Sequence, residues 1–158
     1  MERSSFDKIF CLGDINYHGP RNPLPYSYEP KEVIPILNSF KDKIIAVKGN
    51  CDADVDDMMY DFDLKEYLKT IPFHDQKIFL SHGHVYNEDN LPALKKGDIF
   101  MYGHTHIPVI KFENGYYIFN PGSLTLPKGG HERTYGVLDD KGLYIYTIDD
   151  RLYMECQF

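Results

Sequence analysis

The chain has no tryptophan, no long basic run and only three cysteines. No apolar stretch approaches the ~20 residues that span a bilayer, so no membrane segment is expected. Met1 to Ser5 lead into no apolar signal segment, which argues against export. Cys11, Cys51 and Cys156 are scattered and odd in number. They build neither a disulfide framework nor a Cys-rich zinc site, and a reducing cytoplasm is the expected setting. With a formal charge of −7 and no basic run, a large nucleic-acid surface is not expected. A nucleotide-sized substrate is still compatible, because acidic metal sites add to the negative count.

What is present fits one globular domain over 1–158. At that length a single core can be buried without staples. The first half alternates strand-like and helix-like patterns. Lys8 to Leu12 and Lys43 to Val47 read as short buried strands. Between them a loop rich in turn formers leads to a helix over Pro30 to Lys41. Val33, Ile34, Leu37 and Phe40 give that helix its stripe, Pro30 suits its first turn and Pro35 is an awkward interior residue. Asp52 to Asp63 reads as a short acidic surface helix, and Leu91 to Lys96 as another. Tyr67 to Ile71, Lys77 to Leu80 and Ile99 to Met101 read as strands.

The second half is hairpin-like. Val109 to Phe112 and Tyr116 to Phe119 flank Asn114-Gly115, a strong hairpin signal. Tyr135 to Leu138, Leu143 to Ile148 and Leu152 to Cys156 follow. The expected class is α/β, with layered mixed sheets and helices outside.

Four apolar strands end in a metal-capable side chain. They deliver Asp14, Asn50, His82 and the pair His104 and His106. In open α/β sheets, sites collect beyond the carboxyl ends of strands. Taken singly, Gly13-Asp14 and Gly49-Asn50 read as turns. All four together point to a shared pocket. Carboxylate, amide and imidazole donors without thiolate suit Mn²⁺, Fe or Zn²⁺. An aspartate has two oxygens and can bridge two ions, a pair that clamps the oxygens of a phosphoryl displacement and activates water near neutral pH. His18, Arg21 and His84 are candidates, by position, to contact phosphate or to protonate the leaving oxygen. His74 and His131 read as loop histidines.

The series Gly13-Asp14, Gly49-Asn50-Cys51-Asp52, Ser81-His82-Gly83-His84 and Gly103-His104-Thr105-His106 resembles the calcineurin-like metallophosphoesterase superfamily. With His18-Gly19-Pro20-Arg21-Asn22 and Asn120-Pro121-Gly122-Ser123, it is most like the small bacterial and archaeal phosphodiesterases of the YfcE type. The resemblance implies a four-layer α-β-β-α sandwich of two mixed sheets around a two-metal centre. It implies that Asp14 bridges, that Asn50, His82 and His104 complete one site, and that His106 belongs to the other. The cofactor expected is a divalent metal, foremost Mn²⁺, with Fe, Zn²⁺ or Ni²⁺ as alternatives. The substrate expected is a small phosphate ester, and the assembly a homo-oligomer.

The family's opening strand, ending in Asp-x-His, has no counterpart before Gly13-Asp14. Two ligands on the His106 side are therefore expected to be missing. Three explanations stand: an incomplete sequence, a shortened one-metal protein, or an inactive binding or scaffold module. Retention of all five site residues favours the first, with impaired hydrolysis expected of this chain.

Overall fold

The computed structural model describes residues 6–19 and 24–158. Among these, the strands form three hydrogen-bonded sheets. β1 (Ile9–Cys11) and β2 (Ile44–Ala46) pair in parallel. Between them lies α1 (Pro30–Asn38), and after them the single turn α2 (Asp54–Asp57). β3 (Leu68–Phe73), β4 (Gln76–Ser81), β5 (Ile99–Met101), β6 (Pro108–Glu113) and β7 (Tyr116–Pro121) form a five-stranded sheet in the order β3-β4-β5-β7-β6. Its three inner strands are parallel and its two edges antiparallel. β8 (Thr134–Asp139), β9 (Gly142–Thr147) and β10 (Leu152–Gln157) form an antiparallel sheet with β9 in the middle.

The pleat explains the core. Ile78 and Leu80 on β4, with Ile99 and Met101 on β5, share one face of the five-stranded sheet. That face packs on Leu143 and Ile145 of β9 and on Val47 beyond β2. Phe79, Phe100 and Ile118 point the other way and pack with Tyr102 under Tyr86, Leu91 and Leu94. An inner strand buried on both faces reads as a continuous apolar run, as Ile99-Phe100-Met101 does.

The α/β class and the mixed sheet agree with expectation. Where two mixed sheets were expected, the described strands form one mixed sheet, one parallel pair and one antiparallel sheet, because β1 bonds β2 alone. The expected helix over Pro30 to Lys41 stops at Asn38. Ile34 and Leu37 of its stripe pack on the core, while Val33 and Phe40 are 40% exposed and Phe40 meets the Phe6 ring at 5.9 Å. The acidic helix shrinks to one turn, capped at its start by the Asp56 carboxylate, which accepts from the Ala53 amide at 2.7 Å. Tyr60 and Leu64, not Met58 and Met59, enter the core there. No helix forms over 91–96. Instead the Asp98 carboxylate holds the amides of Lys95 and Lys77 at 2.8 and 2.9 Å, fixing this segment against β4.

Candidate metal centre

Parallel strands β1, β2, β4 and β5 run their carboxyl ends to one place. Two glycines set the approach of the first two. Gly13 has φ +84°, and a β-carbon there would lie 2.6 Å from the Gly49 nitrogen and 2.8 Å from His82 Nδ1. Only glycine tolerates both the conformation and the distance.

His82 is the hub. Its side chain is buried, and its Nδ1 lies 2.7 Å from the Leu12 carbonyl. A carbonyl only accepts, so Nδ1 carries the hydrogen, and in the neutral ring Nε2 is left with a lone pair. That lone pair faces Asn50 Oδ1 at 3.0 Å, His104 Nδ1 at 3.1 Å and Asp14 Oδ2 at 3.3 Å. Two oxygens that cannot donate thus point at a nitrogen that cannot donate. Such an arrangement is stabilised by a cation between them. The separations are those of neighbouring ligands about 2.1 Å from one ion. A backbone carbonyl on the far nitrogen is the usual partner of a metal-binding histidine. The donor atoms of Asp14, His82 and His104 all lie within 4.8 Å of one another. The residues therefore fit a divalent metal, with oxygen and imidazole donors of hard to borderline character.

Asp14 and His104 adopt φ of 54° and 61°, and His106 of 60°. Non-glycine residues in this region carry strain of about 1–3 kcal/mol that surrounding contacts must offset. Those contacts are visible. Asp52, buried beneath the centre, accepts hydrogen bonds from the amides of Asp14 and Gly49, both at 2.8 Å, and of Ile15 at 2.9 Å. The Cys51 amide donates to Asp14 Oδ1 at 2.8 Å. Asn120, fully buried, donates to the Gly103 carbonyl at 2.8 Å and to Thr105 Oγ1 at 3.0 Å, and accepts from the Gly122 amide at 3.0 Å. Asp52 and Asn120 were not expected among the functional residues. Each stands in a turn motif already singled out, one in Gly49-Asn50-Cys51-Asp52 and one in Asn120-Pro121-Gly122-Ser123.

Electrostatics follow the packing. Burial works to raise the Asp14 carboxyl, but His82 and the Cys51 amide outweigh it and hold the pKa below its ordinary value. Burial raises the Asp52 carboxyl, and the nearby Asp14 charge adds to this against the three amides. Burial lowers the imidazoles of His84 and His104, with neighbouring histidine charge adding. Burial also lowers His106, helped by the Lys128 charge and opposed by the Leu126 carbonyl.

The other expected residues take distinct places. His106 Nδ1 is tied to the Leu126 carbonyl at 2.7 Å, and its ring meets Tyr17 edge-on at 6.2 Å. Among the described residues it joins no cluster of three acidic, thiol or imidazole donors. His84 stands 5.3 Å from His82 and 6.3 Å from His104, ring centre to ring centre, and its buried Nδ1 has no hydrogen-bond partner. His18 has both ring nitrogens engaged, by Asp56 Oδ2 and by the Tyr28 hydroxyl, each at 3.1 Å. Arg21 lies outside the described residues.

Comparison with known proteins identifies the family. The family model for the calcineurin-like phosphoesterase superfamily domain matches residues 1–142. The phosphodiesterase YfcE of Escherichia coli K12 is 44% identical over 143 residues, which cover 90% of this chain and 78% of that protein. A solved structure of E. coli YfcE, described as a phosphoesterase, superimposes with a TM-score of 0.92 at 40% identity, covering 96% of this chain and 84% of that one. A Vps29 double mutant from Entamoeba histolytica gives a TM-score of 0.60 at 22% identity, covering 98% and 84%. That last likeness is one of fold alone. The chain belongs to the calcineurin-like phosphoesterase superfamily, among its YfcE-type members, and has their metallophosphoesterase-like fold.

Proposed function

We propose that this chain hydrolyses small phosphodiesters with the help of a divalent metal, foremost Mn²⁺, held by Asp14, Asn50, His82 and His104. The single observation that carries the reading is the convergence on His82 Nε2, where three neighbouring donors stand within 3.0–3.3 Å. The identity with E. coli YfcE supports the reaction class. When bound, the metal would act as a Lewis acid, making water a stronger nucleophile and offsetting charge on a phosphoryl oxygen.

The chain's own groups do the rest. Leu12 fixes the His82 tautomer so that Nε2 faces the centre. Asp52 and Asn120 hold the Asp14 and His104 turns in their strained conformations. His84, with its ring centre 5.3 Å from that of His82 and 6.3 Å from that of His104, is by its position our choice for the group that passes a proton to the leaving oxygen. His18, engaged at both nitrogens, anchors its loop to Asp56 rather than meeting phosphate. On the His106 side the described residues offer His106 and Asp14, so a second ion there is bound more weakly and lowers the attainable rate.

Release of nitrophenol from bis(p-nitrophenyl) phosphate with added Mn²⁺ tests the reading. Turnover by the chain and its loss in His82→Ala are expected. Equal rates in the two overturn the site. No turnover and no retained metal would instead favour a non-hydrolytic binding role on the same fold.

A further inference from the structure

Beside the centre lies a pocket of about 240 Å³ lined by Tyr17, His106, Leu126, Pro127 and Lys128. It is smaller than the ~300 Å³ at which drug-sized sites begin, so it takes one ring-sized group. Its walls are one aromatic ring and two apolar side chains. The loop that carries Lys128 is bound twice to a site residue: His106 Nδ1 donates to the Leu126 carbonyl at 2.7 Å, and the Lys128 amide donates to the His106 carbonyl at 3.1 Å.

Lys128 is the lysine that lines this pocket. Lys41, Lys48, Lys65, Lys69 and Lys111 each stand within 4.0 Å of a carboxylate. Among the described residues, Lys128 has no such ion pair. Its charge is nonetheless felt at both His104 and His106. An ammonium on the pocket wall, with no ion pair among the described residues, is a point charge for an anion. The chain as a whole carries −7, which disfavours a polyanion, while one local cation suits a single negative charge.

We propose that Lys128 binds the phosphate anion of the substrate, and that Tyr17, Leu126 and Pro127 form the subsite for one planar ester group. The substrate class is then a small monoanionic phosphodiester with an aromatic or heteroaromatic substituent. This rests on the hydrolytic reading above and adds to it a charge contact and a ring subsite.

Two anions that share charge and lack a hydrolysable bond test it. Diphenylphosphinate carries rings, and dimethylphosphinate does not. Their Kd values are measured by calorimetry on the Mn²⁺-loaded chain. Wild type should prefer diphenylphosphinate by about fivefold or more, the size of an aromatic contact. Tyr17→Ala should erase the preference. Lys128→Ala should weaken both anions about tenfold, as loss of a charged hydrogen bond does, and Lys128→Arg should restore most of it. In turnover, Lys128→Ala should raise KM more than it lowers kcat. Unchanged phosphinate binding in Lys128→Ala, or an intact ring preference in Tyr17→Ala, overturns the proposal even if wild type hydrolyses diesters. Absence of hydrolysis by wild type overturns the parent reading, and the phosphinate comparison remains decisive for this one.

Discussion

Gly49 stands so close to Asp14 that a β-carbon added to Gly49 would lie 2.1 Å from Asp14 Oδ1 and 2.3 Å from the Asp14 nitrogen. No side chain fits there. The glycine is what lets the β1 and β2 turns meet, and the meeting brings Asp14 and Asn50 to the same imidazole. Gly49→Ala must therefore push Asp14 away from His82. We expect Mn²⁺ affinity, measured by calorimetry, to fall at least tenfold, with a loss of stability of about 1–3 kcal/mol from overpacking. Unaltered affinity would show that Asp14 does not depend on this contact.

Asn120 touches no donor atom of the centre, yet it spans the turn that carries His104. Its amide is bonded to Gly103 and Thr105 on one side and to Gly122 on the other. Asn120→Asp keeps the acceptor for Gly122 and loses the two donated bonds. Metal affinity should drop by about 10–100-fold, the usual size for groups that orient ligands. Wild-type affinity in a folded Asn120→Asp variant would contradict the orienting role.

Away from the centre, the Glu88 carboxylate accepts hydrogen bonds from the Tyr102 hydroxyl and the Lys111 ammonium. Burial raises its pKa, but these two partners outweigh burial and hold it below the ordinary 4.5. A lowered carboxyl stabilises the fold fully above its unfolded pKa and loses that contribution as pH falls through the folded value. Glu88→Gln should cost about 1 kcal/mol at pH 7 in urea unfolding. The deficit should shrink as pH drops below 4.5. A deficit of the same size under acid and neutral conditions would show that packing, not charge, is responsible.

The strands and their polar ends were legible because each signal is local. Ile99-Phe100-Met101 followed by Gly103-His104 shows a buried strand and its exit in one short run. The same holds for Leu80 before His82. The helix expected over 91–96 failed where a carboxylate found a backbone donor on a distant strand: Asp98 accepts from the Lys77 amide of β4 as well as from the nearby Lys95 amide. Such pairings leave no periodic trace. Asp52 and Asn120 were overlooked as functional residues for the same reason. Their work is to hold turns from distant strands, and a turn motif read alone does not show what it holds. The tautomer of His82, on which the centre depends, comes from the Leu12 carbonyl and is visible only in three dimensions.

The account stands on a metal at His82. Purified chain should be loaded with Mn²⁺, desalted and analysed for bound metal beside His82→Ala and His104→Ala, with folding checked by circular dichroism. Wild type should retain about one equivalent, and each folded variant should retain less than about a tenth of that, as expected when a four-donor site loses a direct ligand. Equal metal content in wild type and His82→Ala would contradict the proposed centre.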